Sequence, residues 1–132
     1  MTFERTTSDN ENFLKLVTLL DEDLAIRDGE DHAFYAQFDT LDHIKNVVVG
    51  YHRNHAVGCG AFKPYNNTTA EIKRMFVRPD FRGQGIAKGI LSALENWASE
   101  YGFTNCILET GTNNPQAIQL YTKMGYSIIP NY

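Results

Sequence analysis

The stretch from Ala70 to Tyr101 limits what this chain can become more than any other. Ala70-Glu71-Ile72-Lys73-Arg74-Met75-Phe76-Val77 alternates and ends on a β-branched residue, as a strand does. Pro79 cannot donate to a ladder and biases Arg78 away from helical backbone, so the strand is expected to stop there. Ile86, Ile90, Leu91, Leu94, Trp97, Ala98 and Tyr101 then recur at helical spacing, and Gly102 stands where a helix ends with positive φ. Between strand and helix lies Arg82-Gly83-Gln84-Gly85-Ile86-Ala87. The orphan N–H groups of a first helical turn and the positive end of the helix dipole converge on one spot. Gly83 and Gly85 remove the side chains that would keep a phosphate away. The stretch reads as a pyrophosphate cradle.

At 132 residues the chain is expected to be a single domain, residues 1–132, long enough to bury roughly two-thirds of its unfolded surface. A formal charge of −4 and the lack of any basic block argue against nucleic-acid or anionic-membrane partners, so an anionic ligand needs a local site. Cys59 and Cys106 form no C-x-x-C and sit in apolar, strand-like settings, which favours two free thiols in a reducing compartment. No secretory segment opens the chain and no apolar run approaches the ~20 residues of a membrane span, so a cytoplasmic location is expected.

Along the chain, Thr2-Phe3-Glu4-Arg5 suits a short strand. Phe13, Leu14, Leu16, Val17, Leu19, Leu20 and Leu24 give a helical stripe capped near Ser8 or Asn10. The acid clusters Asp21-Glu22-Asp23 and Asp28-Gly29-Glu30-Asp31 read either as solvated surface or as a mouth for a cationic amine. His32, Phe34, Tyr35 and Phe38 fit a second short helix or an ordered loop. Asn46–Tyr51 and Ala56–Phe62 pair as a hairpin through His52-Arg53-Asn54-His55, and a turn at Pro64–Asn67 leads into the strand before the glycine loop. Asn105–Glu109 is a buried-type strand, so the helix between forms a right-handed parallel crossover. Asn114-Pro115 starts a helix that Gly125 stops, and Tyr126–Ile129 begins a last strand broken by Pro130. The expected fold is α+β: a mixed sheet with an antiparallel N-terminal meander and a central parallel β-α-β crossover.

The loop fails two familiar nucleotide patterns. A dinucleotide fingerprint wants Gly or Ala where Lys88 stands and an earlier β-α-β unit, and a P-loop wants Gly-Lys-Ser/Thr at its end. What fits is Arg82-x-x-Gly85-x-Ala87 after a strand and opening a helix. Asn114-x-x-Ala117-x-x-Leu120-Tyr121-x-x-x-Gly125-Tyr126 follows downstream. Together these resemble the two signatures of the GNAT family of N-acetyltransferases, and with the strand order the resemblance covers Asn46 to Tyr126.

The resemblance implies transfer of an acetyl group from acetyl-CoA to a primary amine of a small molecule or peptide, by direct attack in a ternary complex. It implies a cofactor site of Met75, Phe76, Val77, Arg82, Gly83, Gln84, Gly85, Ile86, Ala87, Lys88, Asn114, Ala117 and Tyr121. In such a site the pantetheine arm pairs with the end of the strand before the loop, and an N–H near Val77 faces the thioester oxygen. Tyr121 would protonate the leaving thiolate, or else only pack against the arm. Arg82 and Lys88 either add charge near the phosphates or are solvated cations, and Asn114 caps its helix whether or not it touches the cofactor.

The base is less defined. Glu71 is the first candidate, with an exposed strand glutamate paired to Lys73 as the plain alternative; Glu109 is the second, and water remains open. Strict alternation places Glu71, Lys73, Met75 and Val77 on one face and Ile72, Arg74 and Phe76 on the other. His32, Tyr35 and Glu109 are acceptor-side candidates. No His, Cys and carboxylate set has metal-ligand spacing, so no metal is expected. Two other readings keep the fold: an idle acyl-CoA-binding or sensing module, and a transferase using a different acyl-CoA. Most members of the family continue past this chain's last residues into a further strand. Its absence here implies a truncated sequence, a genuinely shorter sheet or a strand supplied by a second subunit, and so either a visibly incomplete sheet or a homodimer at that edge.

Overall fold

The computed structural model describes residues 1–28, 43–110 and 115–129, with 24–28 as backbone only. The expected second helix around Phe34 and Phe38, and the residues His32, Tyr35 and Asn114, lie outside the described residues. Within them the order is β1 (Thr2–Thr6), α1 (Glu11–Asp28), β2 (Asn46–His52), β3 (His55–Pro64) and β4 (Thr69–Val77). A short 3-10 turn, Pro79–Phe81, leads to α2 (Ile86–Glu100), β5 (Asn105–Leu108) and α3 (Pro115–Lys123). One sheet runs β1-β2-β3-β4-β5. Its first four strands are antiparallel, and β5 joins β4 in parallel. The α+β mixed sheet with its parallel crossover is as expected.

Local chemistry explains each boundary. Asn10 is the cap of α1: its Oδ1 accepts from the Phe13 N–H at 3.0 Å. Ser8 is used differently, its Oγ accepting the Ile44 N–H at 3.0 Å and so tying the end of β1 to the chain entering β2. The β2–β3 hairpin turns on Arg53 and Asn54, both with positive φ (50° and 69°), the geometry that matches strand twist. Gly102, at φ 91°, ends α2.

The sheet is covered on both faces. Toward α2 lie Val48, Val57, Phe62, Ala70, Ile72 and Val77, packed on Ile86, Ile90, Leu91, Leu94, Trp97 and Ala98. Toward α1 lie Val47, Val49, Cys59, Ala61 and Phe76, packed on Phe13, Leu16 and Leu20. The α1 stripe is narrower than its apolar residues suggest, because Leu14 is half-exposed. Tyr101 falls just past the end of α2 and is also exposed, with its ring against Phe62.

Two expectations need correction. Strict alternation in β4 fails because the strand carries a bulge. Cys59 pairs with Phe76 but Ala61 pairs with Lys73, so β4 holds one residue more than β3 across that interval. Arg74, at φ 60°, takes the left-handed conformation there. Side chains beyond the bulge therefore swap faces. Ala70, Ile72, Met75 and Val77 turn toward α2. Phe76 and Arg74 turn toward α1, where Arg74 meets Asp21 at 3.5 Å, and alternation about Ile72 leaves Glu71 and Lys73 on that same side.

The second correction concerns Tyr126–Ile129, which form no strand. The Tyr126 N–H bonds back to the Tyr121 carbonyl at 2.9 Å, ending α3, instead of entering a ladder. Ile128 is 92% exposed, as an apolar residue is when no neighbouring strand covers it.

The α2 side of the core should dominate stability. Leu94→Ala removes a fully buried side chain and is expected to cost about 2–5 kcal/mol. Urea unfolding should show a lower midpoint with an unchanged slope.

Candidate active site

The parallel ladder between β4 and β5 is short. It runs from Thr69↔Asn105 to Ile72↔Leu108 and then ends, while β4 continues to Val77. Beyond Ile72, the outer edge of β4 has no strand beside it among the described residues. The hydrogen-bond phase says what that edge offers. The Arg78 N–H donates to the Val57 carbonyl at 2.8 Å, so Val57 and Arg78 form a bonded pair, and so do Cys59 and Phe76 two residues along. Val77, opposite Gly58, falls between them. Its N–H and C=O therefore point away from β3, into the gap that opens as β5 departs.

The glycine loop lies at the same end of the strand. Gly83 and Gly85 have φ of 78° and 80°, and a Cβ on either would point into open space. Gly85 is the N-cap of α2; no side chain caps that end and its first turn holds no acid. The amides of Ile86, Ala87 and Lys88 thus belong to a helix start without a competing internal anion, the electrostatic form of an anion site. Gln84 and Lys88 are exposed beside it, while Ile86 is buried as the first core residue of α2.

Arg82 departs from the phosphate-side reading. Its Nε donates to the Val77 carbonyl at 2.9 Å. Its guanidinium lies 3.7 Å from Asp23 and sits 5.7 Å from the Phe76 ring centroid. With Asp21 on Arg74 and Asp23 on Arg82, two of the three clustered acids of α1 are paired with strand and loop cations. Asp21 and Asp23 are thus engaged by cations of the protein itself, neither free solvated charges nor an open mouth for a cationic amine.

Tyr121 is carried by α3 and packs, with Met124 and Tyr126, against the α2-side core. Burial raises its phenol to about 12, so the group is a neutral O–H donor throughout the neutral range. Among the described residues no hydrogen bond engages that hydroxyl. The Tyr126 ring lies 5.9 Å from the Tyr121 ring, and its own hydroxyl donates to Glu95 Oε2 at 2.8 Å. Burial first, and Glu95 second, push the Tyr126 phenol upward as well. Sequence spacing alone did not single out Tyr126 and Glu95 as a support for Tyr121. The only hint was a tyrosine directly after the helix-ending Gly125.

Glu71 lies within the closed part of the ladder, opposite Ile107, and is mostly buried, with Lys73 Nζ at 3.9 Å. Glu109 directly follows β5 and is exposed. Ala117 is half-buried on α3. Cys59 and Cys106 are both free thiols; burial raises Cys59 to about 12 and raises Cys106 also. The His52 ring lies tilted 5.7 Å from the Phe81 ring, and His43 is hydrogen-bonded to Ser8. Among the described residues no three His, Cys, Asp or Glu side chains could hold a metal ion. No helix among them is long and apolar enough to cross a membrane.

Comparison with known proteins agrees with this geometry. Residues 13–126 match the acetyltransferase (GNAT) family. A Bacillus subtilis protein of uncharacterised function, YyaT, is 35% identical over 83% of this chain and 76% of its own length. The next relatives match over shorter stretches, and the chain spans half or less of their length. A Klebsiella pneumoniae protein provisionally assigned as an acyl-CoA N-acyltransferase superposes with a TM-score of 0.77 at 28% identity, over 99% of this chain and 88% of that one. A GNAT acetyltransferase from Elizabethkingia anophelis with acetyl-CoA bound gives 0.72 at 23% identity, over 97% and 76%. A split parallel ladder with a glycine loop at its mouth defines an acyl-CoA transferase fold. The chain belongs to the GNAT acetyltransferase family.

The Tyr121 phenol gives a direct check. Its ordinary value is near 10 and the fold raises it to about 12. Below pH 10 both folded and unfolded chains hold the proton. Above it the unfolded chain ionises first, so stability is lost as pH rises through the folded value. Absorbance titration should show a tyrosine ionising near pH 12 that is missing in Tyr121→Phe; a Tyr121 that ionises near 10 would refute the burial.

Proposed function

We propose that the protein transfers the acetyl group of acetyl-CoA to a primary amine of a small molecule or peptide, by direct attack within a ternary complex. One observation carries this reading. The ladder opening exposes the Val77 N–H at the same end of β4 where the glycine loop presents the bare amides of α2. A ligand joining a pyrophosphate to an amide-bearing arm and a thioester spans those two features in order. The acetyl-CoA of the Elizabethkingia relative supports the cofactor.

In this reading the backbone from Gly83 to Lys88 holds the pyrophosphate, with Gln84 and Lys88 exposed at its rim. The arm lies along Met75, Phe76 and Val77 as an added strand. An outward N–H near Val77 donates to the thioester oxygen and stabilises the charge that develops there. Tyr121 gives its proton to the departing thiolate, and Ala117 and Asn114 belong to the cofactor site in the same proposal.

The amine approaches from the α1 side. There Glu71, directly or through water, takes the proton that a protonated alkyl amine with a pKa of roughly 10 must lose. Glu109, His32 and Tyr35 belong to the acceptor side in the same proposal. Tyr121 packs on the α2 face and Glu71 sits on the α1 face. The proposal thus has acid and base act from opposite faces of the sheet.

A screen of primary amines with acetyl-CoA, read as free thiol, should find an acceptor. Tyr121→Phe should then lower kcat by about a hundredfold or more while acetyl-CoA still binds. Acetyl-CoA binding without thiol release for any amine would make the protein a sensing module; turnover only with longer acyl-CoA would change the donor.

The proposal includes a homodimer, because the outer edge of β5 carries no strand among the described residues and bare edges invite pairing. Sedimentation equilibrium should show a dimer; a monomer at all concentrations would remove this part.

A further inference from the structure

α3 carries the proposed acid, yet little of its own surface holds it. Every residue of the helix is exposed or half-buried, so apolar burial by itself fixes its position loosely. Its end is tied down instead. Gly125, at φ 96°, donates its N–H to the Thr122 carbonyl at 3.1 Å, and the Tyr126 N–H reaches the Tyr121 carbonyl at 2.9 Å. These two bonds form a Schellman motif, and the Tyr121 and Tyr126 rings, 5.9 Å apart, make the apolar contact that accompanies it. Tyr126 is thereby joined to Tyr121 through both backbone and ring.

The tip of Tyr126 is joined to α2. Its hydroxyl donates to Glu95 Oε2 at 2.8 Å, and the Cys106 thiol of β5 borders the same hydroxyl. A phenol donating to a carboxylate makes a charge-assisted bond, roughly twice as strong as a neutral one. Phenylalanine would supply the ring contact equally well, so the helix-ending motif does not need the hydroxyl or its carboxylate. What the bond adds is a fixed reference to α2. That helix begins at the bare amides of the anion site. As the crossover between two parallel strands, it runs back alongside β4 from the glycine loop toward the closed part of the ladder. Between Ile86 and Glu95 it rises about 13 Å. One rigid helix thus bears both the cradle and the anchor for Tyr121.

We propose that Tyr126 and Glu95 are positioning residues for Tyr121: the pair locks the end of α3 to α2 and so sets how far the acid stands from the phosphate cradle. This rests on the acetyl-CoA reading given above, and it gives both residues a part in the reaction without contact with the reactants.

Three substitutions separate the contributions. Tyr126→Phe keeps the ring and the backbone motif and removes only the hydroxyl. Glu95→Ala removes the acceptor, and Glu95→Gln keeps an acceptor oxygen. The first measurement needs neither cofactor nor amine. Tyrosines labelled with carbon-13 at the hydroxyl-bearing ring carbon are followed by NMR against pH, with Tyr121 assigned by its loss in Tyr121→Phe. In Tyr126→Phe and Glu95→Ala the Tyr121 phenol should fall from about 12 toward its ordinary value of 10, and Glu95→Gln should restore it.

The second measurement uses an amine found by the screen. Tyr126→Phe and Glu95→Ala should lower kcat about tenfold while acetyl-CoA binds within about twofold of the wild type. Glu95→Gln should recover most of that loss. In a Tyr121→Phe background, Tyr126→Phe should cost nothing further, because both changes remove one shared contribution.

A Tyr121 that still ionises near 12 in both Tyr126→Phe and Glu95→Ala would overturn the proposal. So would an equal loss of kcat from Tyr126→Phe with and without the Tyr121 hydroxyl. Equal kcat in the wild type and Tyr121→Phe would instead remove the acid role from the proposed function, and the titration alone would then decide whether the pair places Tyr121.

Discussion

The bulge at Arg74 is the constraint on which the site depends. One extra residue in β4 changes both the face each side chain takes and the phase in which the backbone bonds to β3. Without it, Glu71 and Val77 would share a face, and the bonding phase at the strand's end would shift by one. With it, Met75 and Val77 pack toward α2, Phe76 and Arg74 turn to α1, and the Val77 N–H points into the gap. The strained αL position of a non-glycine residue persists because its surroundings hold it. The Arg74 carbonyl accepts from Cys59 Sγ at 3.3 Å, and its side chain is nearly buried against Asp21.

From this follows a division between main chain and side chain. The donor half of the proposed site is built of backbone: N–H groups at the start of α2, two glycines in the left-handed region, and a strand edge released from its ladder. Such a site tolerates varied side chains around it but not a Cβ at the cradle or a shift of register. On the α1 face, where the proposal puts the acceptor, Asp21 and Asp23 are tied to Arg74 and Arg82. A long, partly exposed ion pair adds little to stability alone. Its consequence here is geometric, since each pair fixes α1 to a part of β4 or the loop.

Much of this was legible in the sequence because it depends on local rules. The hairpin, the stop at Pro79, the apolar stripe of α2 and the glycine loop are all set by residues within a few positions of each other. The two spaced signatures carried the family. The bulge was not legible: arginine is an ordinary strand residue, and nothing in Lys73-Arg74-Met75 marks the extra position. Strict alternation therefore put Glu71 on the wrong side relative to Val77. The direction of Arg82 was equally hidden, because its partner Asp23 is far away in sequence and only the packing of α1 on the sheet brings them together. Tyr126–Ile129 looked like a strand by composition, but a strand exists only where a neighbour takes its hydrogen bonds.

The two phenols packed on the α2-side core show how burial can serve the proposed chemistry. A proton donor to a thiolate must keep its proton at neutral pH and still stand close to the sulfur. Placing Tyr121 against the apolar α2 side meets the first need, since desolvation penalises the phenolate and raises the group to about 12. A phenol this weak in acidity gives up its proton only to a stronger base. The thiolate that forms as the intermediate collapses is a poor one in water, with a free thiol pKa well below that of the phenol. Full transfer from Tyr121 is therefore uphill unless the gap also desolvates the sulfur, raising its basicity by the same physics that raised the phenol. The closing of the arm between β4 and β5 supplies that condition in the proposed complex. The Tyr126 hydroxyl bonded to Glu95 fixes the ring beside Tyr121, and in the proposed complex the Tyr121 hydroxyl serves the sulfur. Acid catalysis here would then depend less on the tyrosine's intrinsic strength than on excluding water from both partners at once.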